Sequence, residues 1–376
     1  MKTIRLTGIF LILLAVLAGC HRGLLPPDYH GRSARTIQWG GGPTRSGEAE
    51  VLQPPLRMVW RERLNAGVGR AIPAMEAYVF FGVKDGHIQI LHARTAKSVR
   101  KVKVRNKTDV TCLPAGDRLA LVARWGRPSL RAVDAISGKS LWTCDAGPVE
   151  GEPLLFEDCI TVGTDRGEVL SVSLETGEIL WRKKLKHPMR ASLAAGDDAL
   201  FAVSSDGIAH CLHSSDGTLL WQTELSGSVT TSPVLSQGNV YIGTREGTFF
   251  ALGQQTGDVV WKVDAGGAVY ETAAASDGQV YFGTSQGDLV RLNASTGREI
   301  WRFSSSSVVG TSPVISGDWI YFGTLDGILY AVDRMSGEAV WQTELKGRIR
   351  TDPLIWQGML IIASEDRYVY GFVQDK

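Results

Sequence analysis

An eleven-residue motif returns along this chain at almost constant intervals, and no other feature restricts the possible fold as strongly. Each copy ends in tryptophan, has glycine four residues earlier, and aligns with the others without a gap. Successive tryptophans lie 39, 40, 40, 40 and 40 residues apart, at Trp142, Trp181, Trp221, Trp261, Trp301 and Trp341. A period of about 40 residues indicates that the chain is an array of small, similar structural units.

Two positions extend this series towards the N-terminus. Arg100 ends a degenerate copy that lacks both glycine and tryptophan, 42 residues before Trp142, and Trp60 lies 40 residues before Arg100. Eight anchors therefore share one period. Because arginine replaces the anchor tryptophan, we expect the seam formed by the first complete unit to be weaker than the others or packed differently.

Each unit consists of short apolar or alternating runs that turn residues separate. Between Thr231 and Val263, Gln-Gly, Glu-Gly and Thr-Gly pairs divide four such runs, which predicts an antiparallel four-stranded meander. The 43 glycines among the 376 residues recur where tight turns need a positive φ. We predict an all-β fold, a single eight-bladed β-propeller of four-stranded antiparallel blades.

The last unit is short by one strand. After Trp341 the pattern predicts strands only at 351–356, 359–363 and 367–373. Residues 57–64, around Trp60, precede the first complete unit and can supply the missing outermost strand. We expect this N-terminal strand to pair with the last blade and close the ring, which would remove the exposed sheet edges.

The repeated motif resembles the tryptophan-docking motif of the quinoprotein-type (PQQ-like) propeller repeat. In that family the indole packs between adjacent blades, and the identical spacing in every unit favours this architectural role over ligand binding. The resemblance implies structural docking by Trp60, Trp142, Trp181, Trp221, Trp261, Trp301 and Trp341.

The N-terminus has the composition of an export signal. Lys2 and Arg5 precede an apolar run of thirteen residues, shorter than the ~20 residues that a transmembrane helix needs. The run ends in Leu-Ala-Gly-Cys, which resembles the bacterial lipobox, where a leader is cleaved before a cysteine that then carries several acyl chains, palmitate among them. We predict a signal peptide at 1–19 and lipidation at Cys20; an ordinary secretory leader is the alternative.

A segment rich in proline and glycine follows the predicted lipidation site. Residues 20–56 contain five prolines and a run of three glycines, so we predict a tether whose first fifteen residues act as a spacer, with the propeller at 57–376. The stretch 39–47 resembles the lead-in of such propellers, which lies against the body. His21, in place of aspartate after the lipidated cysteine, resembles the signal that sorts lipoproteins to the outer membrane, where this one would face the periplasm.

Charge is almost balanced, with 40 Lys and Arg against 39 Asp and Glu and a formal net charge of +1. Removal of Lys2 and Arg5 with the leader leaves 38 basic and 39 acidic residues, so the composition gives no reason to expect nucleic-acid binding. One basic run stands out at 100–107, where Arg and Lys alternate with valine on a predicted outer strand. It is either a solvated edge that resists pairing or a contact for an anionic partner or lipid.

The repeat family also suggests a PQQ-dependent dehydrogenase, and the residues argue against one. The alcohol-oxidising members are longer and many contain adjacent cysteines, whereas no Cys-Cys pair occurs here. The predicted inner strands offer no obvious carboxylate set for calcium, although acidic residues do precede some of them, at Asp109, Glu150, Glu152 and Glu271. We predict no catalytic residue, no cofactor and no metal.

Four cysteines follow the predicted lipidation site, with spacings that match no zinc site. An oxidising compartment would permit disulfides, and burial as small apolar residues in strands is the other reading. These cysteines are Cys112, Cys144, Cys159 and Cys211.

A lipid-anchored propeller of eight blades resembles the BamB family of the outer-membrane β-barrel assembly machinery. In that family, the loop after the fourth anchor binds the central barrel protein through leucine and arginine. The fourth anchor here is Trp181, and in the loop after it Met189 and Arg190 partly match, whereas Ser228 and Thr230 replace the family's acidic pair in the next loop. The resemblance implies a non-enzymatic scaffold, monomeric within a complex, that binds protein partners through face loops and assists outer-membrane protein assembly. A lipoprotein propeller that binds a glycan, peptide or PQQ-type cofactor is the alternative.

Overall fold

The eight-bladed propeller is confirmed by the structure, a computed structural model that describes residues 24–25, 36–37, 39–104 and 109–375. Eight antiparallel sheets form a ring, and within each blade we letter the strands A to D from the central channel outwards. The described residues contain one 3-10 turn, Trp39–Gly41. Among them, no helix has the length and apolar character that crossing a membrane requires.

The strands are numbered in chain order. Blade 1 contains β3 (Ala74–Met75), β4 (Tyr78–Val83), β5 (His87–His92) and β6 (Ser98–Lys103), with β1 (Thr36–Ile37) added at its inner edge. Blade 2 contains β7 (Val110–Ala115), β8 (Arg118–Ala123), β9 (Leu130–Asp134) and β10 (Ser140–Cys144). Blade 3 contains β11 (Leu154–Phe156), β12 (Cys159–Gly163), β13 (Glu168–Ser173) and β14 (Ile179–Lys184). Blade 4 contains β15 (Ala194–Gly196), β16 (Ala199–Val203), β17 (Ile208–His213) and β18 (Leu219–Glu224).

The second half of the ring repeats this pattern. Blade 5 contains β19 (Val234–Ser236), β20 (Asn239–Gly243), β21 (Thr248–Gly253) and β22 (Val259–Asp264). Blade 6 contains β23 (Ala274–Ser276), β24 (Gln279–Gly283), β25 (Asp288–Asn293) and β26 (Glu299–Ser304). Blade 7 contains β27 (Val314–Ser316), β28 (Trp319–Gly323), β29 (Ile328–Asp333) and β30 (Ala339–Glu344). Blade 8 contains β31 (Leu354–Trp356), β32 (Met359–Ala363), β33 (Tyr368–Gln374) and, as its strand D, β2 (Leu56–Arg63).

The predicted closure of the ring is confirmed in blade 8. Strand β2 pairs antiparallel with β33, with Arg57 opposite Val373 and Trp60 opposite Gly371. The innermost strand begins three residues later than predicted, at Leu354, since Pro353 has no N–H to donate to a ladder. The two ends of the propeller domain therefore share one sheet, and blade 8 has four strands like the other blades.

The segment before β2 lies inside the ring, which the sequence did not indicate. Backbone carbonyls of residues 43, 44, 46 and 47 accept hydrogen bonds of 2.8–2.9 Å from the same position in strand A of four consecutive blades. The donors are the N–H groups of Ala195, Leu235, Ala275 and Ile315. Strand A is the edge of its sheet, so this segment satisfies edge N–H groups that would otherwise be unpaired.

The ring has two different faces. The AB and CD turns form one face, and the segment 43–47 crosses the channel at this end; we call it the tether face. The BC turns and the DA connections between blades form the opposite end, which we call the cavity face.

Six of the anchor tryptophans bind the next blade in the same way. Each indole Nε1 donates to a backbone carbonyl in the CD turn of that blade at 2.8–3.1 Å, pairing Trp60 with Ala93, Trp142 with Leu174, Trp181 with Ser214, Trp221 with Gln254, Trp261 with Ala294, and Trp301 with Arg334. The glycine of the motif lies under the indole. Gly257 has φ +75°, and a Cβ there would lie 2.5 Å from the Trp221 ring, so both backbone conformation and space require glycine. The seventh, Trp341, packs edge-to-face on Phe372.

The seam between blades 1 and 2 is packed differently, as the replacement of tryptophan by Arg100 predicted. The backbone N–H groups of Leu24 and Leu25 donate to the carbonyls of Ile136 and Ala135 in the CD turn of blade 2, at 2.5 and 3.1 Å. The Leu24 side chain lies over Gly138, where a Cβ would meet it at 2.9 Å. Leu24 therefore occupies the place that an indole occupies at the other seams, and both leucines are buried.

Candidate functional site

A belt of hydrogen bonds surrounds the channel where the DA connections enter strand A. A backbone N–H in one blade donates to the side-chain oxygen that lies 40 residues later, in the next blade. The bonds run from Glu152 to Ser192, Ser192 to Ser232, Ser232 to Thr272 and Ser312 to Asp352, at 2.6–3.1 Å. These four bonds link blades 3, 4, 5 and 6 in sequence, and blade 7 to blade 8, through polar groups.

Above the belt, the channel opens at the cavity face into a cavity of about 540 Å³. Its upper rim is formed by the DA connections. Glu150, Arg190, Thr230, Tyr270 and Arg350 come from equivalent positions of the repeat, and Arg70 lies one residue beyond the equivalent position in blade 1. Arginine, acidic, hydroxyl and aromatic groups therefore all occur around the opening.

The buried acids of this cavity are paired with arginines from other blades. Arg70 donates to both carboxylate oxygens of Glu271, one of them at 3.1 Å, and Arg124 donates to Glu152 at 3.2 Å. Glu271 is only 5% exposed. Its burial, with the nearby charge of Asp352, raises the pKa of Glu271 to about 7 although Arg70 acts in the opposite direction.

The floor of the channel is formed by Arg45, which the lead-in segment carries into the ring. Its side chain is completely buried, and Nε donates to the carbonyl of Leu193 at 2.7 Å. Burial lowers the pKa of Arg45 to about 9, with Glu152 acting in the opposite direction. The chain's own N-terminal segment therefore lies within the channel below the belt, whereas the cavity opens towards the cavity face.

Gly47 tests whether the lead-in is held in the ring. It has φ +75°, and a Cβ would lie 2.7 Å from the Cβ of Ala274; Gly238 has φ +76° with nothing within 4 Å. We expect Gly238→Ala to cost ~1–2 kcal/mol from the backbone alone, and Gly47→Ala to cost ~1–3 kcal/mol more from the overlap. Urea unfolding of both variants measures the difference, and equal losses would show that the lead-in does not pack on blade 6.

Met189 and Arg190 occupy different environments in the predicted partner-binding loop. Met189 is 1% exposed, so it is not available as the apolar residue of a direct partner contact. It lies on the repeat, and the equivalent residues at five other blade junctions are buried as well: Val149, Val229, Val269, Val309 and Ile349. This 40-residue recurrence was a signal in the sequence that Met189 belongs to the core.

Arg190 lies at the rim with its side chain 52% exposed. Its Nε lies 3.2 Å from a carboxylate oxygen of Asp165 and 3.5 Å from one of Glu150, which orient the guanidinium over the opening. In the next loop, Ser228 replaces an acidic residue of the family, and its N–H donates at 2.7 Å to the carboxylate of Glu246, which comes from the BC turn. Glu246 therefore supplies a carboxylate next to Ser228, although it comes from a different segment than the family's acidic residue.

Two exposed aromatic residues on the cavity face were not predicted as part of a site. Trp125, in the BC turn of blade 2, is 59% exposed, and Tyr270 stands at the rim beside Arg245, whose guanidinium carbon is 5.7 Å from the ring centre. Trp125 does not fit the repeat, which was the available signal. Arg70, Arg124 and Arg350 were also missed. The acidic partner of Arg70 is 201 residues away in the sequence, and the partners of Arg124 and Arg350 come from different loops.

The four described cysteines are free thiols. Burial raises the pKa of Cys211 to about 12, and it also raises the pKa of Cys112 and Cys144. Three of the four are buried, and all lie in strands. Burial as small apolar residues is therefore the better of the two readings. Cys20 lies outside the described residues.

Comparison with known proteins gives a family and several similar folds. The family model for the outer membrane protein assembly factor BamB matches residues 165–308 and 286–376. No curated protein matches the chain in sequence.

Solved structures with this architecture include a BamB, a designed protein and an enzyme. BamB from Moraxella catarrhalis has a TM-score of 0.72 at 19% identity, over 85% of this chain and 100% of that one. The computationally designed Ika8 protein has a TM-score of 0.73 at 18% identity, over 83% and 98% of the two chains. A europium-containing methanol dehydrogenase has a TM-score of 0.74 at 15% identity, over 89% of each. At these identities the likeness shows the fold alone. Because the family match covers more than half of the chain, the protein belongs to the family of the outer membrane protein assembly factor BamB.

Proposed function

We propose that the protein is a periplasmic scaffold, anchored to the outer membrane by acyl chains on Cys20, that assists the assembly of outer-membrane β-barrel proteins. The match to the BamB family is the observation that carries this proposal. The scaffold works by binding a protein partner, the central barrel-assembly protein, through loops of the cavity face.

The cavity face suits such a partner because its rim is exposed and chemically varied. Arg190 and Tyr270 stand at the rim with substantial exposure, and Trp125 is exposed in a BC turn of the same face. Arginine and large aromatic residues are the types that contribute most to protein interfaces. The tether face is occupied at its centre by the chain's own lead-in, which leaves the cavity face as the end with an open central surface.

Met189 supports the Arg190 loop from below in this proposal. Its side chain packs in the core of blades 3 and 4, and its N–H donates to the carbonyl of Thr164 at 2.9 Å. The loop is thereby fixed, so Arg190 loses little conformational freedom when a partner binds.

No catalytic step is part of this proposal. In the described cavity Glu271 and Glu152 accept hydrogen bonds from Arg70 and Arg124, and Thr111 also donates to Glu152. Arginine keeps its charge at any physiological pH, so these arrangements neutralise the acids and link blades across the ring.

Charge reversal at Arg190 tests the partner surface. We expect Arg190→Glu to lower recovery of a barrel-assembly component from solubilised envelopes at least ~10-fold, since a central arginine typically contributes 2 kcal/mol or more, roughly, to an interface. Arg182→Glu is the matched control, because Arg182 lies on the outer strand β14 at 38% exposure and pairs with Glu168.

Three results would contradict the proposal. The wild type could recover no barrel-assembly component, or both arginine variants could lose the partner equally. Alcohol oxidation by the purified protein with PQQ and calcium, in a dye-linked assay, would show an enzyme instead.

A further inference from the structure

The outer edge of blade 1 carries an uninterrupted basic strip. Between Ala93 and Val104, the CD turn and strand β6 contain five basic residues and no acidic one: Arg94, Lys97, Arg100, Lys101 and Lys103. All except Arg100 are exposed. Asp85, from the preceding BC turn, pairs with Lys101 at 2.9 Å, which leaves a clear local excess of positive charge.

No other blade has such a strip. The equivalent turn and outer strand contain Asp145 in blade 2, Glu175 and Glu178 in blade 3, Asp216 and Glu224 in blade 4, Asp258 and Asp264 in blade 5, Glu299 in blade 6, Glu338 and Glu344 in blade 7, and Glu62 in blade 8. Because the chain as a whole is almost neutral, the strip makes its charge distribution asymmetric around the ring. A surface of this kind is complementary to an anionic partner.

The docked leucines lie directly beside the basic strip. Leu24 and Leu25 share a core cluster with Val102 of β6, and Val99 and Val104 pack against that cluster. Cys20 is four residues before Leu24, and four residues of chain reach at most ~14 Å. An acyl group on Cys20 is therefore held near this edge of the ring. The linker between Cys20 and Leu24 is much shorter than the fifteen-residue spacer that the sequence suggested.

We propose that the basic strip of blade 1, which the docked Leu24–Leu25 adjoin, lies on an anionic phospholipid surface. Basic residues near such a surface each strengthen binding, and one acyl chain alone anchors only weakly. In this orientation the edge at blades 1 and 2 faces the membrane, and the opposite edge at blades 5 and 6 projects into the periplasm. The orientation rests on the proposed anchor at Cys20, whereas the affinity of the strip for lipid does not.

Vesicle binding by the unacylated chain tests the strip by itself. The full mature chain with Cys20→Ser is sedimented with phosphatidylcholine vesicles, with and without phosphatidylglycerol. We expect binding only where phosphatidylglycerol is present, and we expect K97E/K103E to bind at least roughly 25-fold more weakly, since each lysine near the surface contributes roughly fivefold. The control K186E/K262E makes the same change in net charge at exposed lysines on other parts of the ring, and it should bind like the parent chain.

Several outcomes would overturn the proposal. They are no binding of the parent chain to phosphatidylglycerol, equal loss in both double variants, or equal binding to neutral vesicles. Any of these would leave a solvated edge as the role of the strip.

A second measurement tests the short linker between Cys20 and the docked leucines. On vesicles, the acylated wild type should show slower hydrogen exchange in β6 than it does in detergent, and L24S/L25S should lose that protection while it stays bound to the vesicle. Unchanged protection in L24S/L25S would overturn the role of the docked leucines. Mass spectrometry of Cys20 separates the proposed acyl anchor from the proposed lipid affinity of the basic strip. A missing acyl group would contradict the anchor, but it would not change the vesicle binding measured for the Cys20→Ser chain.

Discussion

Trp221→Ala is expected to lower the free energy of unfolding by ~3–5 kcal/mol, the usual cost of truncating a buried tryptophan. The indole is buried at the seam of blades 4 and 5, donates to the carbonyl of Gln254 at 3.0 Å and covers Gly257. Its removal leaves a cavity between two blades and an unpaired carbonyl. Urea unfolding, followed by far-ultraviolet circular dichroism, measures the loss.

Trp125→Ala is the matched control for this experiment. Trp125 is 59% exposed, and it lies in a BC turn outside the repeat. We expect its replacement to change the free energy of unfolding by less than ~0.5 kcal/mol. Equal costs at the two positions would contradict the structural role assigned to the anchors.

Arg70→Ala is expected to destabilise the protein in a pH-dependent way, by ~1 kcal/mol at pH about 5 and by ~3–5 kcal/mol at pH about 8. Arg70 neutralises Glu271, a carboxyl group that is almost completely buried. Without Arg70, the folded variant at high pH must either bury an unpaired carboxylate or take up a proton. At low pH that proton is already bound, so only hydrogen bonds are lost.

The direction in which pH changes the stability of the wild type follows from the raised pKa of Glu271. The pKa of Glu271 is about 7 in the folded protein against an ordinary value of 4.5, so the folded state holds this proton more tightly than the unfolded state does. Its contribution to stability is therefore complete below pH 4.5 and is lost as pH rises towards 7.

Arg350→Ala is the control for the buried pair. Arg350 also lines the cavity but pairs with Glu365 near the surface, where both side chains are almost half exposed. We expect a cost below ~1 kcal/mol. It should grow with pH much less than the cost of Arg70→Ala, because Arg350 is the weakest of the charges that act on Glu271. Urea unfolding of both arginine variants at the two pH values makes the comparison, and a flat profile for Arg70→Ala would contradict the proposed charge state of Glu271.

The blades could be predicted because their determinants are local and repeated. The glycine and the tryptophan of one motif copy are four residues apart, and six complete copies reinforce each other. Each glycine is covered by the tryptophan of the preceding blade, as Gly257 is by Trp221, and the constant period places the two together. Closure of the ring by β2 could also be predicted, because Trp60 lies on the same 40-residue period as the other anchors. The period reveals this strand even though its sheet partner β33 is about 310 residues away. Arg100 marked a seam where Leu24, from another segment, takes the place of the indole.

The lead-in and the cavity could not be predicted in the same way. The segment 43–47 is rich in glycine and proline and has no periodicity, and its hydrogen bonds go to strand edges in four different blades. Glu271 was visible as an acidic residue before an inner strand, but its partner Arg70 is 201 residues away. Such pairs depend on how the ring closes, which no local pattern encodes.

The pairing of β2 with β33 has a consequence for the order of folding. Seven blades can form from neighbouring segments, but the eighth needs two segments separated by about 310 residues. Closing a loop of that length costs about 5 kcal/mol in chain entropy beyond the constant for any loop. That cost falls on a single step and must be offset by the pairing of β2 and by the packing of Trp60 and Trp341 at its two seams. A change that weakens blade 8 should therefore slow folding more than the same change in blade 5.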